Sequence, residues 1–446
     1  MIEPDKQPCK GYKEEQDIDN QSIGYRGVDD QSMRCDLIVI GAGPSGLFCA
    51  LSSCQKDKRI LVLEKKEAPG RKLLISGSGR CNLTHDGDIK AFLDQYGSQD
   101  GGQGRFLRPA LLGFDNRDLI SFFEARGLPM VQAERGKVFP GSLKSRDVLK
   151  VLVDECHVCG IETRYGQKVR SVLASEEGFR LIDQDGIYKS PLLVIATGGC
   201  SYPATGSTGD GHRFARDLGH NVTELGAALT PVYIKDHPFP DLSGISFSQM
   251  EIYLYRNNKK IKEIQGDLLF THQGLSGPGI LDLSRHIRPD DALKLSFVKG
   301  MKREEMEGWL QSKVDKDGAR GLRSFLGELG LPPRLIKRIL VISKIPLYIK
   351  GAQMTREMRS LLAENLTGFS AVVEDLGGYD IAMVTRGGVD LREVNPKTME
   401  SRLIKGLYLV GEVLDVDGNT GGYNLQAAFS TGMLAARSIR KSWGCD

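Results

Sequence analysis

The sequence predicts an α/β chain built on a parallel sheet, with a β-rich unit and a helical segment set into its second half. Three observations carry this. An apolar strand at residues 36–40 runs directly into Gly41-Ala42-Gly43-Pro44-Ser45-Gly46 and a helical stretch to about Ser53. A second strand at 60–63 stops at the acid Glu64. Two more apolar strands, at 192–196 and 406–410, end in glycines.

Between these anchors the pattern changes in order along the chain. Helical periodicity appears near 117–126 and 145–159, then short alternating strands over 161–188. From 221 to 298 the segments are β-type, with Asn257-Asn258 a turn between 252–255 and 261–264. Residues 301–365 read as short helices punctuated by Gly318, Gly330 and Pro332-Pro333. Strand-like segments return at 370–374 and 380–385, and a glycine-rich turn after 410 opens a helix over 424–440. Within 301–344 ten bases face six acids.

Composition excludes more than it assigns. The 446 residues are too many for a small stapled scaffold, and 60 Lys and Arg against 57 Asp and Glu leave only +3, which names no partner. Gly is the outlier: 53 of 446 is 12%, against a usual share of about 7%. Nine cysteines without a secretory segment suggest a reducing, cytoplasmic setting. No apolar run approaches the roughly 18 residues of a membrane span. Residues 1–32 carry more acids than bases and no apolar block, so they read as a disordered tail, with Met33 an alternative start.

The Gly41-x-Gly43-x-x-Gly46 spacing provides a tight turn, close approach of a pyrophosphate and close helix-to-strand packing, with phosphates at the helix N-terminus. Glu64, placed 18 residues beyond Gly46, is positioned to accept from ribose hydroxyls. Different dinucleotides share that fingerprint. The discriminators are Thr197-Gly198-Gly199 after one strand and Gly411-Glu412 after another, followed by Gly421-Gly422-Tyr423-Asn424-Leu425-Gln426, where a helix N-terminus suits the electron-rich pyrimidine end of a flavin.

These segments resemble the FAD-binding domain of the glutathione-reductase-like superfamily. The blocks 70–82, 202–211, 270–278, 385–389 and 415–426 narrow the resemblance to the family labelled aminoacetone oxidase or BaiN-type NAD(P)/FAD-dependent oxidoreductase, over about 34–440. The resemblance implies a Rossmann-like FAD-binding domain from 34–220 and 385–446, after a tail of 1–33. It also implies a β-barrel-like domain from 221–300 and 366–384, and a small helical insert at 301–365. It places Gly41, Ala42, Gly43, Pro44, Ser45, Gly46, Glu64, Lys65, Arg71, Asn82, Val169, Thr197, Gly198, Gly411, Glu412, Asn424, Leu425 and Gln426 along a non-covalent FAD.

No second strand-GxGxxG-helix unit is present, so NADH or NADPH is expected only as a transient reductant at the flavin face. The resemblance covers reduction of an activated C=C in an enone or a ribosomal RNA uracil ring, and oxygen-dependent oxidation of a small amine such as aminoacetone. A flavin-holding RNA-binding module without catalysis is the third reading. Cys81, its thiol lowered by Arg80, Tyr202 and Tyr423 are the proton-donor candidates, each weighed against simple packing. His272 is a fourth on family grounds. The basic surplus of the helical insert fits solvated helix faces; for an RNA substrate its bases, Arg334, Lys337 and Arg338 among them, are expected at the phosphates. Cys156-His157-Val158-Cys159 has ligand spacing but no partner pair; Val148, Leu152, Cys156 and Cys159 share an apolar helix face, so no metal site is expected.

Overall fold

The computed structural model describes residues 32–97 and 102–445. At its centre is a five-stranded parallel sheet in the order Leu407–Leu409, Leu192–Ile195, Leu37–Ile40, Ile60–Leu63, Glu162–Arg164. The three central strands are unbroken aliphatic runs because both faces of the sheet are covered. Ile38, Val39, Leu61, Val62, Leu193 and Val194 have no exposed surface. Helices Pro44–Ser52 and Tyr423–Ser442 pack against each other. Gly432 makes this possible, since a Cβ there would stand 2.8 Å from the Ser45 carbonyl oxygen.

The alternating segments after 161 form an antiparallel meander, Ser171–Ser175, Gly178–Ile182 and Ile187–Ser190. Met33–Arg34 adds to it in parallel, opposite Tyr188 and Lys189. A tail drawn through residue 33 is therefore corrected, because Met33 pairs with the sheet. The rest of the tail reading falls on residues 1–31, outside the described residues, apart from Ser32.

The β-rich segment closes into a six-stranded barrel in the order Val232–Ile234, Gly274–Ser276, Lys259–Phe270, Ser246–Arg256, Ala292–Ser296, Phe369–Leu376. Asn257 and Asn258 sit at φ 49° and 61° between its two long strands. Positive φ at both turn residues matches the right-handed strand twist, and Asn tolerates it better than most residues. The chain enters and leaves the barrel through a paired crossing, Gly226–Ala228 antiparallel to Val384–Arg386. Residue 385 thus lies inside a strand. The strand expected over 380–385 begins only at Val384, because the Ile381 and Ala382 N–H groups turn back to the Gly378 carbonyl.

Helices Arg303–Asp317, Leu322–Gly327, Pro333–Ile342 and Arg356–Thr367 lie between the last two barrel strands in sequence. Met306, Leu310, Phe325, Leu335 and Leu362 join Ile252, Leu268, Leu293 and Val373 in one apolar cluster. Each such buried side chain contributes roughly 1.5–3 kcal/mol, so insert and barrel stabilise one another. Arg334 and Arg338 donate to the Asp241 and Pro238 carbonyls. These two residues anchor the insert to the barrel, which corrects their placement at RNA phosphates. No helix among the described residues is long and apolar enough to cross a membrane.

Candidate active site

A cavity of about 730 Å3 runs along the C-terminal ends of the parallel strands, where Ile40, Leu63 and Ala196 meet the loops that follow them. Ligands of open α/β sheets bind at this edge. Each fingerprint glycine has a different physical reason. Gly41 has φ +105°, and a Cβ there would meet the Ala196 carbonyl oxygen at 2.6 Å; one at Gly46 would meet the Gly41 carbonyl oxygen at 2.0 Å. Gly43 has an ordinary φ of −82°, and nothing lies within 4 Å of its Cβ position. Glycine there leaves room above the N-terminus of helix Pro44–Ser52, whose first turn carries no acid and whose N-cap makes no side-chain bond. That open amide cradle fits a pyrophosphate.

Most predicted residues come together on this cavity. Gly41, Gly43, Pro44, Ser45, Glu64, Lys65, Arg71, Asn82, Val169, Thr197, Gly198, Tyr202, Gly411, Glu412, Asn424 and Leu425 all line it. The Glu64 carboxylate accepts from the Ala42 and Lys66 N–H groups, both at 2.9 Å, and so ties the glycine turn to the second strand while keeping free lone pairs. Ala42 is buried and contributes that amide. Asn82, with its amide nitrogen toward the Thr84 carbonyl (3.1 Å), accepts from the Gly422 N–H (3.2 Å). The Asn424 side chain accepts from the Gly418 N–H (2.8 Å) and donates to the Gly418 carbonyl (2.9 Å), fixing the last glycine turn.

Other predicted side chains face elsewhere. Gln426 has no exposed surface; it accepts from Thr84 Oγ1 (2.6 Å) and donates to the Phe114 carbonyl and Ser430 Oγ. It holds the final helix rather than lining the cavity. Gly46 serves packing only. Cys81 is fully buried, and burial pushes its thiol up to about 12 against a weaker pull from Ser76. Arg80 does not lower it, being placed over the Phe139 ring at 5.4 Å. Tyr423 is 8% exposed, stacked on His85 (5.3 Å between centroids, 16° between planes), and burial together with the Asp282 charge raises its phenol. Neither residue lines the cavity, and His272 is exposed away from it. Of the proton-donor candidates, Tyr202 lines it. The Cys156 thiol lies 3.7 Å from the Leu47 carbonyl, packed on its apolar face.

The cavity also gathers residues that no local motif reveals. Lys72 pairs with Glu412 (2.6 Å), which also accepts from Ser201 Oγ (3.0 Å) and the Thr385 N–H (2.8 Å). Lys65 pairs with Asp210 at 2.5 Å; burial opposes ionisation of Asp210, yet Lys65 and Thr208 hold its carboxyl below the usual range. Six basic side chains line the cavity, Lys65, Arg71, Lys72, Arg80, Lys137 and Lys168, against three acids. All three acids are engaged as just described. The surplus favours an anionic, phosphate-bearing ligand.

At the barrel end the walls are Phe139, Leu229, Pro278, Leu281, Met383, Asn419 and Thr420, with Lys137 among them. The Lys137 ammonium has no hydrogen-bond or ion-pair partner among the described residues, although its charge reaches Asp267 and Asp282. Asp282 lies behind Thr420, accepting from its N–H (2.6 Å) and its Oγ1 (3.2 Å). Burial raises the Asp282 carboxyl to about 6 despite those bonds and the nearby Arg285 and Lys137. Arg135 pairs with Asp267 across the join between sheet domain and barrel.

A glycine cradle at the ends of a parallel sheet, joined to an apolar chamber in a single cavity, fits a dinucleotide-dependent enzyme. The chain belongs to the HI0933-like Rossmann-domain family, which matches residues 35–438, and is an FAD-dependent oxidoreductase. It is 32% identical over 407 residues to a ribosomal RNA dihydrouridine synthase of Escherichia coli, covering 91% of this chain and 98% of that one. It is 30% identical to a 3-dehydro-bile acid delta(4,6)-reductase of Clostridium scindens, covering 90% and 98%. Among solved structures, 3-ketosteroid delta1-dehydrogenase from Sterolibacterium denitrificans shares the fold with a TM-score of 0.50 at 11% identity, covering 92% of this chain and 100% of that one.

Proposed function

We propose that the chain reduces a carbonyl-conjugated C=C, with a uracil ring in RNA as the substrate class and NADH or NADPH as a transient reductant. The observation that carries this is Lys137, a cation with no direct ion-pair partner among the described residues, on the apolar substrate-side wall. A conjugated C=C that gains hydride places negative charge on its carbonyl oxygen, and a positioned cation stabilises that charge. A protonated amine would meet repulsion there instead. The cation-rich cavity suits a substrate or reductant carrying phosphate, and the names of the relatives point to C=C reduction.

In this reading the Gly43 face and the amides after it hold the FAD pyrophosphate, Glu64 a ribose, Val169 the adenine end, and Asn82, Asn424 and Leu425 the flavin end. Bound FAD supplies hydride chemistry. Lys137 orients the substrate oxygen, Tyr202 offers a proton from the cavity wall, and Leu229, Leu281 and Phe139 exclude water. The setting is cytoplasmic, where RNA and reduced nicotinamides meet.

The test is anaerobic. NADH or NADPH should bleach the flavin of the purified protein, and uridine-containing ribosomal RNA should restore its colour and yield dihydrouridine. The reading fails if both nicotinamides leave the flavin oxidised while aminoacetone bleaches it and oxygen restores it with peroxide release. If no reagent changes the flavin, the non-catalytic module stands.

A further inference from the structure

The helical insert carries a second concavity, a groove of about 580 Å3 between the start of helix Leu322–Gly327 and residues 347–349. Its floor is apolar, formed by Leu331, Ile336, Leu347 and Ile349. Tyr348 stands in its wall with 87% of its surface in water. A ring of that size costs apolar surface when left bare, and no described residue covers it.

Cations lie on and beside the groove. Arg323 lines the groove, and the bridge between Gly321 and Lys350 sets Lys350 on the same rim. Lys337 follows Pro333 by four residues on helix Pro333–Ile342, which puts it above the opposite wall. Residues 321–350 contain six bases and one acid, Glu328. That acid is already paired with Lys313 and Arg320. Arg323, Lys337 and Lys350 have no ion-pair partner among the described residues. Gly321 and Gly327 leave open space where side chains would stand, so a ligand backbone can come close.

The geometry points to a docking site for a single-stranded segment of RNA, one base stacked on Tyr348 and the flanking phosphates on Arg323, Lys337 and Lys350. This rests on the reading of the active site as acting on an RNA base. Single-stranded nucleic acid offers a planar ring and an anion at every unit, which is the combination an exposed aromatic ring among unpaired cations selects. An acidic peptide offers the charge without the ring.

The test uses the FAD-loaded full chain and a fluorescein-labelled, uridine-rich single-stranded RNA, with binding followed by anisotropy at several salt concentrations. Tyr348→Ala should weaken binding about tenfold, and Tyr348→Phe should restore it. The double variant Arg323→Glu, Lys350→Glu should weaken binding and flatten the salt slope by roughly 1.4. Bleaching by nicotinamide and reduction of a free enone should be unchanged in all three. Wild-type affinity and slope in Tyr348→Ala and in the double variant overturn the groove, and the active-site reading survives if those variants still reduce the RNA base. Equal competition by polyglutamate of matched charge assigns the groove to acidic peptide and also overturns it. A wild-type chain that reduces the enone but binds no RNA removes both the groove and the RNA substrate.

Discussion

Arg285 and Asp417 face each other at 3.1 Å with 4% and 2% of their side chains exposed, and this pair joins the barrel to the loop that leads into the last helix. Arg285 also donates to the Gly97 and Asp417 carbonyls, both at 3.1 Å, while Asp417 accepts from Gln103. The barrel end of the cavity is therefore positioned by charges that do not line it.

Removing one partner leaves the other charge buried and uncompensated. Arg285→Met should cost about 3–5 kcal/mol in urea unfolding, and adding Asp417→Leu should recover part of it. A single variant as stable as wild type would show that water reaches Asp417.

The two inner glycines separate folding from binding. Gly43→Ala places a methyl in open space at an unstrained φ, so the chain should fold with an unchanged melting temperature yet bind FAD more weakly by at least about tenfold, the equivalent of one charge-assisted hydrogen bond. Gly46→Ala drives a methyl into the Gly41 carbonyl and should lower the melting temperature itself. Titration of apoprotein with FAD, beside thermal melts, distinguishes them; a normal affinity in Gly43→Ala would move the pyrophosphate elsewhere.

Asp282 makes stability depend on pH. Its carboxyl is raised from 3.8 to about 6 in the folded chain, so the folded state holds a proton that the unfolded state releases. The stabilisation from that proton is complete below pH 3.8 and lost as pH rises through about 6. Asp282→Asn should match wild type near pH 3.5 and exceed it by up to about 2–3 kcal/mol at pH 7.5. Parallel stability profiles for the two proteins would contradict the shift.

Cys81 should be chemically silent. With its thiol raised to about 12 and no surface exposed, iodoacetamide at pH 8 should leave it unmodified in the native protein, and Cys81→Ala should retain kcat. Rapid labelling of Cys81, or loss of turnover without loss of flavin, would return it to the reaction.

The parts legible in the sequence were those that depend on near neighbours. The βαβ opening, the Asn257-Asn258 hairpin and the amphipathic helix that buries Val148, Leu152 and Cys156 all follow from local periodicity and turn chemistry. Side-chain direction was less legible. Gln426 and Tyr423 sit beside cavity residues in sequence, but the helix rotates them into a polar bridge and an aromatic cluster. Lys72, Ser201, Thr385 and Glu412 meet from four distant segments, and no spacing rule reports a contact 340 positions apart. Lys137 gave no sign because what marks it out, a place on the cavity wall without a direct ion pair among the described residues, is a property of the assembled walls.

The sheet order also sets a timetable for synthesis. Strand Leu192–Ile195 has Leu37–Ile40 on one side early, but its other neighbour, Leu407–Leu409, is made only after the barrel and its helices are complete. While the chain emerges, that strand presents an apolar open edge, the kind that pairs with other chains. The barrel, continuous from Val232 to Leu376, can assemble in that interval. The dinucleotide domain, although it begins first, is the last to be sealed, because its sheet is complete only when residues 407–409 are made.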